Sequence, residues 1–244
     1  MASTTSRQHR QTARAVSSRR HGRAASESSD DYLKAILELS GPEQRQVAST
    51  DIAVRLGITG ASATRMLQKL SSTNPALVIY EKHHGVHLAE AGRKRALEIV
   101  RHHRLLETFL HRVLDYPWDE VHDEAERLEH FISERFEARV AAKLGYPDFD
   151  PHGHAIPSLD GSLPEDRSQT LAQTPARHSV QVASVADHDP EMLRYLGSQG
   201  IRPGVQLTVI ERLPFRGAYR ILVCSSQETV LLSEPLASSI YVSL

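Results

Sequence analysis

Two histidines and two carboxylates recur at helical spacing in His122-Asp123-Glu124-Ala125-Glu126-Arg127-Leu128-Glu129-His130. Wound at about 100° per residue from His122, Glu126 falls at about 40°, Glu129 at about −20° and His130 at about 80°. The four side chains share one stripe. Val121, Ala125, Leu128 and Ile132 fall on the adjoining one, near −60° to −120° by the same arithmetic. The polar stripe therefore borders a buried face. Imidazoles and carboxylates half-buried without compensation are costly, and a divalent cation offers that compensation. Three or four nitrogen and oxygen donors are what manganese, iron or zinc take. For this stripe alone, the alternative is a solvated Glu-rich helix face.

A second pair shifts the balance. His103 and Glu107 stand one turn apart, with Ala96, Val100, Leu106, Leu110, Val113 and Leu114 within about 80° on either side. A lone core histidine usually bonds to backbone. A His/Glu pair at spacing four, with a second His/Glu helix nearby in sequence, favours metal.

Several elements must position these groups. Ser28, Ser29 or Asp30 can cap a helix carrying Tyr32, Leu33, Ile36, Leu37 and Leu39, which Gly41-Pro42 ends. Ser49-Thr50-Asp51 opens a short helix that Gly57 stops, and Thr59 caps another through about Ser72. That is a helix-turn-helix pattern. Ala63, Met66, Leu67 and Leu70 pack, while Thr59, Ala61, Ser62, Thr64 and Arg65 crowd the early turns, where small and polar groups can reach base edges or phosphates. Gln68 and Lys69 lie further along, suited to phosphate. Residues 76–81 and 86–88 read as a hairpin around Lys82-His83-His84-Gly85, so the whole is a winged helix with Lys82, His83 and His84 near backbone or minor groove. A helix over 90–114 carries His103 and Glu107. Asp119 is expected to cap the helix bearing the four-residue stripe, running to about Phe136. Residues 147–178, with Pro147, Pro151, Pro157, Pro164 and Pro175, read as a linker. Beyond Ser179, short alternating strands and one short helix predict a small SH3-like β-barrel.

The chain has 244 residues and a net charge of −1, so overall charge says nothing about partners. Its distribution does. Residues 1–28 carry Arg7, Arg10, Arg14, Arg19, Arg20 and Arg23 against Glu27, and read as a disordered basic arm that either touches phosphates or serves no role. Cys224 is the single cysteine, which excludes an internal disulfide and a thiolate cluster. No apolar run approaches a membrane span, and no apolar stretch follows the basic start, so the cytoplasm is the expected compartment.

Taken together, Asp31-Tyr32-Leu33, the recognition helix Thr59–Lys69, Ala91-Gly92, His103-Arg104-Leu105-Leu106-Glu107, Val121 to Glu126, Glu129-His130 and Pro151-His152-Gly153-His154-Ala155-Ile156-Pro157 resemble the diphtheria-toxin-repressor family of metal-dependent transcriptional regulators. The resemblance is to its long form, with a C-terminal SH3-like (FeoA-like) domain. It is dense over 30–158 and loose over 179–244. It implies a multi-domain α+β protein: winged-helix domain 29–92, helical metal-binding and dimerisation domain 93–147, Pro-rich linker 148–178, SH3-like domain 179–244. It implies no enzymatic activity, a homodimer on a palindromic double-stranded DNA operator with one or two dimers per site, no membrane partner, and two metal sites. One uses Asp31, Glu126, Glu129 and His130. The other uses His103, Glu107 and His122, completed from the SH3-like domain by Asp189, with Glu191 standing in where Met192 replaces an amide.

Iron-type members of that family place cysteine at the position of Glu126 and methionine at that of Asp31. The carboxylates here match manganese-type members, and hard oxygen donors suit Mn²⁺ over Fe²⁺. Zn²⁺, Co²⁺ or Cd²⁺ can substitute in vitro. Short manganese-type members carry a further carboxylate where Lys34 stands. The resemblance implies a repressor of metal-uptake genes, active when metal is replete. Two rivals are a metallohydrolase, for which no His-Glu-x-x-His motif is present, and a metal-independent winged-helix regulator, which a Glu126→Ala variant would separate from a sensor.

Overall fold

A computed structural model describes residues 28–41, 43–165, 167–214 and 217–243; the expected basic arm, save Ser28, lies outside the described residues. The chain divides into two compact units, Met1–Ile99 and Val100–Leu244.

In the first unit, helix α1 spans 28–40. It is already helical at residue 28, so the expected caps stand inside it, and Asp30 instead accepts from Arg95 Nε at 2.5 Å. Helices α2 (Ser49–Arg55) and α3 (Gly60–Ser71) follow. Gly57 turns the chain between them at φ 63°, and Thr59 caps α3 by accepting from the Ser62 N–H at 3.2 Å. Strands β1 (Val78–Glu81) and β2 (Gly85–Leu88) pair antiparallel. Leu33, Ile36, Ile52, Ala63, Leu67, Leu70, Val78 and Val86 form the shared core. Helix α4 (Glu90–Leu114) starts hard against the chain leading into β1: a Cβ at Gly92 would come within 1.8 Å of the Leu77 carbonyl oxygen. Only glycine permits that approach. The unit is a winged helix-turn-helix.

The second unit holds the remainder of α4, then α5 (Val121–Leu128) and α6 (Glu134–Leu144). The single helix expected from Asp119 to about Phe136 is two. Ser133 adopts an extended conformation and accepts from the Phe136 N–H, so an N-cap restarts the helix and breaks the run. Glu129 keeps helical dihedrals just past α5. Asp119 is not the cap; Glu120 holds that position, without a side-chain bond.

The expected linker is packed over its first part. Asp150, His152 and Ile156 are buried, Phe149 bridges Ala155, and Arg101 and Arg104 of α4 donate to the carbonyls of Pro157 and Ala155. Residues 148–158 form a strap along α4.

The C-terminal part is an SH3-like β-domain, with β3 (Gln169–Thr170), β4 (His178–Val185), α7 (Pro190–Ser198), β5 (Gln206–Arg212), β6 (Tyr219–Val223), β7 (Glu228–Leu232), α8 (Glu234–Ser238) and β8 (Ile240–Ser243). The antiparallel order is β3-β8-β4-β5-β6-β7. Alternate residues Val180, Val182, Leu207, Val209, Ile221 and Val223 point inward, as a period of two requires. Trp118, from the α4–α5 connection, joins this core. No helix among the described residues is long and apolar enough to cross a membrane.

Candidate metal centre

Helix α4 presents His103 and Glu107 one turn apart, and the first turn of α5 presents His122. His103 Nε2 lies 2.9 Å from Glu107 Oε1 and 3.1 Å from His122 Nδ1, and His122 Nδ1 lies 3.2 Å from Glu107 Oε1. Glu107 is fully buried, and its Oε2 has no hydrogen-bond partner.

On its other side, His103 Nδ1 faces Glu129 Oε2 at 2.5 Å and Glu126 Oε2 at 3.6 Å. His130 Nε2 lies 3.5 Å from Glu129 Oε1. The stripe of α5 is thus joined to the α4 pair through one imidazole. An ionised carboxylate only accepts, so Nδ1 of His103 carries the proton. A neutral His103 then aims a bare Nε2 at a carboxylate oxygen and at His122. Acceptors that meet head-on need either a further proton or a cation between them.

The strap and the β-domain add groups that the sequence reading did not assign. His152 Nδ1 is 3.7 Å from Glu107 Oε1. His154 Nδ1 is 3.4 Å from both Asp150 Oδ2 and Asp187 Oδ2. Asp187 Oδ2 is 3.8 Å from His122 Nδ1, and the exposed His188 lies 3.4 Å from His122 Nε2. Asp189 and Glu191, expected here, are placed elsewhere. Asp189 caps α7, accepting from the N–H groups of Glu191 and Met192 at 3.0 and 3.1 Å, and the Glu191 side chain is exposed. Pro190 carries the local signal for this. Proline at the first helical position makes the preceding Asp the cap and leaves Asp187 to reach the cluster.

Electrostatics follow the packing. Burial alone would raise the Glu107 carboxyl, but the charge on His103 and hydrogen bonds from His103 and His122 lead the groups that hold it well below the carboxylate range. Burial would likewise raise Asp187, yet the His154 charge leads the groups that hold it at about 2. His152 runs the other way. Burial disfavours its charge, and the neighbouring Glu107 carboxylate, with Asp150 and Asp187, outweighs this, taking it to about 9.

The donor set fits a divalent cation. Ligands at about 2.1 Å and right angles stand about 3 Å apart, close to the separations among His103, Glu107 and His122. Unsatisfied Glu107 Oε2 and His152 Nδ1 are the kind of buried atoms a cation satisfies. Every donor is nitrogen or oxygen.

Asp31 belongs to the first unit, half-buried on α1. On α3, Ala61, Ser62, Arg65, Gln68 and Lys69 are exposed and Thr64 is half-buried; Thr59 uses its hydroxyl in capping. Lys82 and His83 are exposed at the hairpin turn, His83 at φ 69°.

A winged helix joined in one chain to a buried His/Glu cluster and an SH3-like domain defines a DNA-binding regulator that answers to metal. Comparison with known proteins agrees. Residues 25–86 match the iron dependent repressor N-terminal DNA binding domain, residues 89–158 the iron dependent repressor metal binding and dimerisation domain, and residues 169–244 the FeoA domain. The iron-dependent repressor IdeR of Mycobacterium tuberculosis is 31% identical over 223 residues, covering 86% of this chain and 94% of that protein. A solved manganese-dependent transcriptional repressor in complex with manganese is 41% identical, covers 88% of this chain and 99% of its own, and superposes with a TM-score of 0.81. ScaR with bound Cd²⁺ is 32% identical at a TM-score of 0.74, covering 88% and 98%. The chain belongs to the iron-dependent repressor family, that of the diphtheria toxin repressor: metal-dependent, DNA-binding transcriptional repressors, not enzymes.

Proposed function

We propose that this protein is a Mn²⁺-responsive repressor of metal-uptake genes, working in the cytoplasm as a homodimer on a palindromic operator, with one or two dimers per site. The observation that carries the metal reading is the buried cluster of His103, Glu107 and His122, built of nitrogen and oxygen alone around an unsatisfied Glu107 Oε2. Hard carboxylate oxygens at Asp31, Glu126 and Glu129, with His130, favour Mn²⁺ over softer-ligand ions. The likeness to a manganese-dependent repressor at 41% identity supports the same choice. Fe²⁺ is the second reading, favoured by the likeness to IdeR.

Two donor sets are assigned. His103, Glu107 and His122, with Asp187 and His152 beside them, hold one ion. Glu126, Glu129 and His130 of the second unit, with Asp31 of the first, hold the other; Asp31 is assigned from its sequence motif. A bound cation would add positive charge where these carboxylates gather. Donors carried on both units tie the winged helix to the dimerising helices, and so set the spacing of two recognition helices against two half-sites. Ala61, Ser62, Thr64 and Arg65 address base edges, while Lys69, Lys82 and His83 address phosphates, with Thr59 shaping the entry to α3.

Calorimetric titration of the metal-free chain with Mn²⁺, Fe²⁺ and Zn²⁺ at one pH tests the assignment, together with fluorescence anisotropy on an operator duplex selected from a random library. Two Mn²⁺ per chain and Mn²⁺-dependent DNA binding are expected. Equal DNA affinity in Mn²⁺ and in chelator sinks the reading.

A further inference from the structure

We infer that Trp118 is a positioning residue for the metal centre: it seats the β-domain on the helices and, through its own carbonyl, fixes which nitrogen of His152 faces Glu107. This inference rests on the metal reading above.

The indole is 4% exposed and packs among the β-domain's core residues, although its backbone lies between α4 and α5. Its seat in α7 depends on Gly197. A Cβ there would stand 3.0 Å from Trp118 Nε1 and 3.3 Å from Cζ2. Arg202 stacks its guanidinium over the ring at 4.6 Å. One large side chain from the helices is thus held inside the β-domain.

The backbone of the same residue reaches the cluster. The Trp118 carbonyl lies 2.7 Å from His152 Nε2. A carbonyl only accepts, so Nε2 carries the proton. Nδ1 is then the nitrogen that gives up its proton to an ion; it is buried, without a hydrogen-bond partner, and 3.7 Å from Glu107 Oε1. A carbonyl or carboxylate behind a histidine is the usual device that fixes its tautomer and ring for a metal. The other flank of His152 rests on the β-domain directly. Val185 N–H donates to the His152 carbonyl at 3.0 Å, and a Cβ at Gly153, with φ +89°, would come within 2.1 Å of the Ala183 oxygen. His152 is therefore clamped between the Trp118 backbone and β4. Seating the β-domain and presenting Nδ1 are one event, so an ion that engages Nδ1 tightens the seat, and a tighter seat raises affinity for the ion.

Trp118 is the only tryptophan, so its fluorescence reports the seat without labelling. The experiment follows Trp118 emission and acrylamide quenching of the full chain along a calorimetric Mn²⁺ titration. Expected are a fall of about twofold or more in quenching with one of the two ions, retention of that response in Glu126→Ala, and its loss in His152→Ala. Trp118→Ala is expected to weaken one Mn²⁺ by about tenfold, the lower end of outer-shell effects, while Trp118→Phe stays near the parent. Quenching that ignores Mn²⁺ while calorimetry records two bound ions overturns the inference and leaves the metal reading standing. So does a folded Trp118→Ala chain with unchanged affinity at both sites. A chain that binds no Mn²⁺ overturns both. Should Trp118→Ala not fold, the quenching titration of the parent chain decides alone.

Discussion

His103, Glu107 and His122 belong to one compact unit and already stand within 3.2 Å of one another. Asp31 belongs to the first unit, whereas Glu126, Glu129 and His130 belong to the second. The difference separates two jobs. On the assignment proposed above, a set already gathered in one unit would bind its ion with little conformational cost. On the proposed assignment of Asp31 to the second ion, binding would favour the conformation in which its donors meet, and only such differential binding shifts an equilibrium. His103 joins the two, since its Nδ1 bonds Glu129 while its Nε2 meets Glu107 and His122.

Breaking the divided set should have the largest effect. Glu129→Ala removes a donor and the acceptor of His103 Nδ1; Mn²⁺-dependent operator affinity is expected to fall by about 100-fold or more, with metal-free binding unchanged in anisotropy titrations. Glu107→Gln tests the preassembled set. Calorimetry should show binding of one ion weakened by at least the roughly 10- to 100-fold that changes outside the ligand shell already cause, with Mn²⁺-dependent DNA binding retained. Equal effects of both variants on DNA response would erase the proposed division of labour. Arg65→Ala, outside both sets, should cost about 1–3 kcal/mol of operator affinity without altering either calorimetric site.

The smallest effect is expected from pH, and it sharpens the same contrast. His152 titrates near 9 in the folded chain, above its ordinary 6.5, so protonation stabilises the metal-free fold. That contribution is fully present below about 6.5 and is lost as pH rises through about 9. Mn²⁺ affinity at the preassembled set should rise over the same window, by less than about tenfold per unit, because bound protons must leave. Thermal melts of metal-free chain and calorimetry across pH 6 to 9 would show the opposing trends.

Much of this was legible in the sequence because it is periodic. The helix-turn-helix, the wing, the 90–114 helix and the His103/Glu107 pair all follow from apolar spacing and from turn residues such as Gly57. The break after Leu128 was not, since a single capping serine competes with a continuous amphipathic pattern and sequence alone does not weigh the two. Residues 148–158 read as linker because their burial uses short turns, Asp150 bonding the N–H groups of His152 and His154 at 2.8 and 3.0 Å, and leaves no period. Asp189-Pro190 at a helix start marks Asp189 as a cap, and Asp187, two residues earlier with no such signal, is the carboxylate that lies 3.8 Å from His122 Nδ1.

The most direct test of the proposed Asp31 assignment compares operator affinity of the parent chain and of Asp31→Ala, with saturating Mn²⁺ and with chelator. The account predicts that Mn²⁺ tightens the parent by about two orders of magnitude, within the range that a coupling of a few kcal/mol allows, while Asp31→Ala stays at the chelated level yet still binds one Mn²⁺. An Asp31→Ala chain that answers Mn²⁺ as the parent does would contradict it.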